Sequence, residues 1–402
     1  MKKALVSACL PIIRKLAFVI VRTAYYIEHS VVLLFEALLR LRGLLDPRLH
    51  SEARRIRAIT DGRARKDTGK FIVFVVYSEA ALPAFTTNFI DAIRQSPFNL
   101  ILVANCPLAL QDRERLLGDC CLLIERENVG QDFGGYKDGV SIALSRFPDL
   151  NRLVIANDSV YYLDPGLDRL LADLDGDADF IGVSEVLDHH YHVASFLVSF
   201  GPRVLQSPEF KGFWRQYVPF GTRRWAIFRG EGALTEHLLR AGFRPHVLFR
   251  AEALRPHLEA QSASQLAETI MLMPSTGRRL MVTILREAGL DAQAAMVKAM
   301  DARVPGATIS GATKPFVDAI VKTIMSRNQM HMGGFLFRRF LGLPAIKRDI
   351  CFRQVYGFDN IAGVLADVSP SLRAEVMRDL GRRGTTADFG PWKKVLSRHS
   401  AA

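Results

Sequence analysis

A chain of 402 residues, 49% of them hydrophobic, can bury the core of one large domain or two ordinary ones, so it reads as globular. Its five cysteines are odd in number and lack metal-ligand spacing, which argues against a disulfide framework and for a reducing compartment. The formal net charge of +12 suits nucleic acid, anionic lipid or a phosphorylated substrate, and only the distribution of that charge separates them.

Basic residues concentrate in the first seventy positions, from Lys2 and Lys3 to Arg65 and Lys66, within a strongly apolar segment. Arg14, Lys15, Arg22, Glu28 and Glu36 interrupt every apolar run before it reaches the roughly 18 to 20 residues that a spanning helix needs. Lys15, Arg22, His29 and Glu36 form one narrow polar stripe on a helix, with Leu16, Phe18, Val19, Ile20, Val32, Leu33 and Leu34 over much of the rest. Two readings suit this pattern: an interfacial membrane helix with basic flanks, or a helix hairpin packed on the protein. No small-residue cleavage site follows a short apolar core, so a cleaved signal peptide is not expected. The charged stretch from Leu49 to Gly69, with Asp61-Gly62 and Thr68-Gly69, reads as a linker.

Strands and helices then alternate. Apolar runs at Phe71 to Val76, Asn99 to Ala104, Cys121 to Ile124 and Arg152 to Ala156 read as strands, and Ala84 to Arg94, Leu108 to Leu117 and Tyr136 to Arg146 as helices. Wholly apolar strands separated by helices predict a parallel sheet covered on both faces, with ligands at the carboxyl ends of the strands. Two polar clusters stand at such ends: Glu127 to Gly135, containing Asn128, Gly130, Asp132, Gly134 and Gly135, and Asn157-Asp158-Ser159. Glycines there would admit a ligand to the backbone, and the amides opening the next helix would attract a diphosphate. Taken singly, the first cluster is also a plain turn and the second also an Asx-type turn.

The two clusters together resemble the nucleotide-sugar site of GT-A glycosyltransferases, in which an Asn-x-Gly loop lies by the donor and the next strand delivers an acidic motif holding a divalent ion. Here Asp158 is the sole acid of that motif; Asn157 and Ser159 could supply neutral oxygens to Mg2+ or Mn2+. Further blocks narrow the resemblance to the rhamnan synthesis protein F family: NVGQDFGGYKDG, NDSVYYLDPGLDRLL, DADFIGVSE, HVASFLVSFGPRVLQSPEFKGFW, GEGALTEHLLRAGFR and NQMHMGGFLFRRFLGLPAIKRDI, in that order between Phe71 and Ile350. In the last block Gln329 and Met330 replace the middle of the family's Asn-Pro-Thr-His.

The resemblance implies an α/β, GT-A-like (Rossmann-like, mostly parallel sheet) domain over 69–258. It is flanked by N-terminal amphipathic helices and linker over 1–68 and by a mostly helical C-terminal extension over 259–402. Its implied donor residues are Asn128, Gly130, Asp132, Gly134, Gly135, Asn157, Ser159, His192, Ser195, His331 and Lys347, with Asp158 as metal ligand. Glu231, at or just before the start of a helix, is either the catalytic base or a carboxylate that merely complements the helix dipole. His189, His190 and His192 are not expected to chelate zinc, because neighbouring strand residues face opposite ways. Phe213 and Trp214 are expected to pack the core.

Lys347 lies in a basic group with Arg338, Arg339, Arg348 and Arg353, interleaved with aromatic residues, which suits phosphates, an anionic membrane or a solvated helix face. The reading is a glycosyltransferase, inverting if Glu231 is the base, that moves a sugar such as rhamnose from a nucleotide-sugar donor to a polysaccharide or lipid-linked acceptor. It would act peripherally on the cytoplasmic face of the bacterial inner membrane, against its anionic surface. The rival is a non-catalytic assembly protein of the same pathway. No RNA- or DNA-binding module is recognisable, so nucleic acid is not an expected partner.

Overall fold

The apolar runs have no polar face to leave toward water, and in the computed structural model they form the middle of a sheet. The structure describes residues 2–78, 81–187, 190–301, 311–353, 355–384 and 389–398, with side chains from 19 onward except at 21, 301, 359, 397 and 398. His189 lies outside the described residues.

Among the described residues twelve strands are formed: β1 (Ile56–Asp61), β2 (Lys70–Val76), β3 (Asn99–Ala104), β4 (Leu122–Arg126), β5 (Arg152–Asn157), β6 (Val160–Tyr162), β7 (Phe180–Gly182), β8 (Glu185–Val186), β9 (His192–Val193), β10 (Leu197–Phe200), β11 (Pro245–Val247) and β12 (Ala345–Lys347). Eight of them make one sheet in the order β1-β4-β3-β2-β5-β10-β7-β11. β4, β3, β2 and β5 run parallel, as does the pair β7 and β11, while β1 and β10 run antiparallel to their neighbours. The fold is thus α/β with a mostly parallel sheet and a helical C-terminal region, as the sequence leads one to expect.

Alternate residues of β2 serve opposite faces. Ile72, Phe74 and Val76 join one apolar core with Phe89, Ile93 and, from the C-terminal helices, Phe316, Ile320 and Leu336. Phe71, Val73 and Val75 join the other with Tyr136, Val140, Phe210 and Trp214. Phe213 and Trp214 are core residues, as expected. Residues on either side of position 258 therefore share one core, and burial on both faces explains why these strands carry no polar alternation.

Two local expectations are corrected. The stretch read as a linker contains β1, an edge strand paired with β4, whose burial alternates along its length. Arg57 and Asp61 face outward, but an outward Ile59 and an inward Thr60 hide the period-two pattern of this half-buried strand. The N-terminal segment is one helix of 43 residues, Lys2–Leu44, and not a hairpin. Among the described residues, no helix is long and apolar enough to cross a membrane.

That helix buries Glu36 near its C-terminal end and leaves Arg22 exposed. Glu36 is buried and pairs with Arg40 at 3.1 Å and Arg224 at 3.4 Å, and Val32 is fully covered. Meanwhile Val19, Ile20, Ile27, Leu34, Leu38 and Leu41 are exposed.

Candidate functional site

The strand order reverses at β2: β3 and β4 lie on one side and β5 on the other. An open parallel sheet has its crevice where successive connections leave in opposite directions, outside the carboxyl ends of the strands. Beside that crevice, on the β3 and β4 side of β2, a cleft of about 430 Å³ opens at the carboxyl edge of the sheet, within the usual range for small-molecule sites. Tyr77 and Ser78 line it after β2, Asn105 and Cys106 after β3, and Arg126, Glu127 and Asn128 at the end of β4. Arg126 is fixed by Asp138 at 2.8 Å, donates to Asn105 Oδ1, and holds the loop through the Val129 carbonyl at 2.7 Å.

The two polar clusters meet, as the order of strands demanded. Asn157 Nδ2 donates to Asp132 Oδ2 at 2.8 Å, and Asn157 Oδ1 accepts from the Ser159 amide at 3.1 Å. One buried amide side chain therefore ties both strand ends together, and the local Asx turn and the long-range link coexist. Burial and the neighbouring Asp158 charge push Asp132 up to about 7, against the opposing pull of Lys347. Asp158 Oδ2 accepts from the Tyr77 amide at 3.4 Å and from Arg348 Nη1 at 3.2 Å. Burial raises Asp158 while Arg348 opposes the shift.

The helix after the first cluster spans Gln131–Arg146 and begins five residues earlier than its apolar pattern indicates. This corrects the reading of Gly134 and Gly135 as ligand-facing positions. A Cβ on Gly134 would lie on the Val129 carbonyl oxygen, and one on Gly135 would lie 2.6 Å from Val75 Cγ1. Gly135 serves the approach of helix to sheet, and Gly134 the fit of the helix start against its own loop. Gly130 adopts φ +77° against Pro219, where a side chain would be strained and would collide. Of the loop residues expected to bind donor, Asn128 is the one that lines the cleft, and it is exposed.

Glu231 sits in a π-helical segment, Ala226–Gly232, that precedes the helix Ala233–Arg240. Such widened turns often occur at functional sites. Its Oε1 accepts from Ser195 Oγ at 2.5 Å and from the Ser195 amide at 3.3 Å, and its Oε2 lies 3.5 Å from His192 Nε2. Burial would raise this carboxyl, but the His192 and Ser195 hydrogen bonds prevail and hold it down at about 2. His192 Nδ1 lies 3.1 Å from the His190 carbonyl, so both ring nitrogens of this buried histidine have partners.

The C-terminal region completes the site through a strand of three residues. β12 pairs antiparallel with β6, which sets Lys347 opposite Val160, just past Asn157-Asp158-Ser159. Lys347 Nζ lies 3.4 Å from Ser159 Oγ and 4.6 Å from the centre of the Phe196 ring. Arg348 reaches the Asp158 carbonyl at 2.7 Å and its carboxylate, and bonds Asp379 on its other side. His331 Nε2 lies 2.8 Å from Asp349 Oδ1. Burial works against ionised Asp349, yet His331 and the cations Lys347 and Arg353 hold it well below its ordinary range.

These distances test the expected divalent ion at Asp158. Its carboxylate already faces a guanidinium and a backbone amide, and no group of three or more potential metal ligands occurs among the described residues. Bound Mg2+ favours a near-octahedral oxygen shell, and Asn157 and Ser159 are engaged with Asp132 and Lys347. The residues present do not fit such an ion. Sequence reasoning also missed Tyr77, Asn105, Arg126 and Asp349; the signal for the first two was a polar residue directly after an apolar strand.

A Rossmann-like α/β sheet with a polar cleft and a carboxylate cluster at its carboxyl edge is consistent with a glycosyltransferase. Residues 100–296 match the model of the family described as rhamnan synthesis protein F, the family that the sequence blocks resemble. The chain is also 27% identical over 199 residues to the "Uncharacterized protein y4gN" of Sinorhizobium fredii (strain NBRC 101917 / NGR234), covering 48% of this chain and 52% of the relative. The chain thus spans about half the length of the curated relative it matches. The family match includes Asn128, Asp132, Asp158, His192, Ser195 and Glu231, whereas Tyr77, His331, Lys347 and Arg348 lie outside it.

Proposed function

We propose that the protein is a GT-A-like glycosyltransferase that moves a sugar from a nucleoside diphosphate donor to an acceptor of a surface polysaccharide. One observation carries this reading: Asn157 joins Asp132 to the strand end at Ser159, in the crevice of the sheet and next to a cleft large enough for a nucleotide. The nucleotide occupies the cleft beside Tyr77, Asn105 and Asn128, and its diphosphate extends toward Ser159 and Lys347.

Glu231 receives the acceptor hydroxyl in place of Ser195 Oγ, which marks where a hydroxyl group can sit. The hydroxyl oxygen bonds to the anomeric carbon as the bond to the diphosphate oxygen breaks and its electron pair leaves with the diphosphate. A carboxylate held at about 2 is a weak base, so it takes the proton late, once the new bond has made the hydroxyl acidic. Attack opposite to the leaving group makes the transfer inverting.

The exposed apolar side of the helix Lys2–Leu44, with its basic residues, supports attachment to an anionic membrane surface on the cytoplasmic side. The rival, a non-catalytic assembly protein, is favoured by one fact: both carboxylate oxygens of Glu231, and Oδ2 of Asp158, are already engaged.

Turnover of nucleotide sugars by the wild type and its loss in Glu231→Gln, with binding retained, supports the enzyme. Binding by both proteins with no turnover on any acceptor supports the assembly role. Flotation of the full-length protein on anionic liposomes, weakened by salt and by Ile20→Glu with Leu34→Glu at exposed positions of the helix Lys2–Leu44, tests attachment separately.

A further inference from the structure

The acidic strand end has a cation of its own. Arg348 closes Asp158 on one side and Asp379 on the other, and its guanidinium packs over the Phe85 ring at 4.7 Å. It is therefore a fixed clamp whose charge is consumed by two carboxylates. Lys347, its neighbour, is placed differently. An ammonium group has three donors, and among the described residues the side-chain hydrogen bond of Lys347 is the long contact to Ser159 Oγ.

β-pairing with β6 holds the Lys347 stem, and the Phe196 ring lies beneath the charge. Burial lowers its proton affinity below the ordinary lysine range, and the charges of Asp349, Glu231 and Asp132 oppose that shift. A half-buried ammonium with spare donors, beside the serine that ends the acidic strand, is a built anion site.

We infer that the Lys347 ammonium is the counter-charge of the donor diphosphate and that Arg348, by neutralising Asp158, removes the need for a divalent ion. This rests on the nucleotide-sugar reading above. The diphosphate oxygens approach Lys347 Nζ from the cleft side. As the bond from the anomeric carbon to the diphosphate breaks, the added negative charge develops on an oxygen that a fixed donor already faces. No proton leaves Lys347 in this step, so its role is electrostatic.

The test titrates the full-length protein with UDP, GDP and dTDP by calorimetry, in EDTA and then in Mn2+. The inference expects the favoured nucleotide to bind with the same affinity in both. Lys347→Met should weaken binding about tenfold to a hundredfold, the usual loss for a charged hydrogen bond. Lys347→Arg, which keeps the charge and guards against a folding defect, should restore most of it. Binding that needs Mn2+, or that survives Lys347→Met unchanged, overturns the inference while leaving the nucleotide-sugar reading intact. Absence of binding to all three nucleotides under both conditions overturns both.

Discussion

Replacing Asp138 by asparagine should unfold the protein far more readily than its size suggests. Asp138 is fully buried on the helix Gln131–Arg146 and accepts from Arg55 at 2.5 and 3.1 Å and from Arg126 at 2.8 Å. Both guanidiniums are themselves buried. Asp138→Asn preserves shape and removes the countercharge, leaving two positive groups in a medium that solvates them poorly. Breaking a buried pair from one side costs about 3–5 kcal/mol, and here two pairs share one carboxylate. In a protein of this length that corresponds to a fall in Tm on the order of 10 °C. Thermal unfolding followed by circular dichroism at neutral pH measures it. Nucleotide binding should weaken in parallel below Tm, because Arg126 holds both Asn105 and the Val129 carbonyl at the cleft. A Tm unchanged by Asp138→Asn would refute the argument, since it would mean that the two arginines are neutralised by something else.

Glu231 is depressed from 4.5 to about 2, so its contribution to stability is present above about pH 4.5 and is lost as the pH falls toward 2. Urea unfolding across that window should show a loss of up to about 3 kcal/mol that Glu231→Gln does not show. Asp132 has the opposite sign: its carboxyl is raised from 3.8 to about 7, so the associated stability is full below 3.8 and disappears as the pH rises through 7. Protonation also removes a negative charge from an anion site, so nucleoside diphosphate should bind more tightly below pH 7, and Asp132→Asn should flatten that dependence in the same titration. Gly135→Ala places a Cβ 2.6 Å from Val75 Cγ1 and should cost about 1–3 kcal/mol in chemical denaturation. Gly334→Ala meets nothing within 4 Å in mid-helix and should be neutral or stabilising by up to about 1 kcal/mol.

The parts of the fold that were legible are those whose residues have a single physical use. β3 matches its predicted run residue for residue, and β2 extends it by one at Lys70, because the middle of a strand covered on both faces is apolar while polar groups stand at its ends. The start of the helix Gln131–Arg146 was misplaced for the opposite reason. Glycine can mean a ligand-facing loop or a close approach inside the fold, and sequence spacing does not say which; Gly135 is held close to Val75 of β2 and Gly134 close to the Val129 carbonyl. β12 was invisible because three residues are too few to show a period, and its partner β6 lies far away in sequence.

That short pairing is what divides the site between two distant stretches of chain. The acidic half, Asp132, Asp158 and Glu231, lies within the region matching the family, on strand ends and helix starts that a sheet topology predicts. The cationic half, Lys347 and Arg348, comes from the C-terminal region and reaches the acids through the hydrogen bonds between β6 and β12. Asp158 therefore owes its chemical character less to its own strand than to Arg348, which turns a plausible metal ligand into half of an ion pair. A chain that kept the β5 motif but lost the guanidinium opposite it would leave Asp158 free to ligate a cation. The residue that decides between the two chemistries is then Arg348, outside the acidic motif itself.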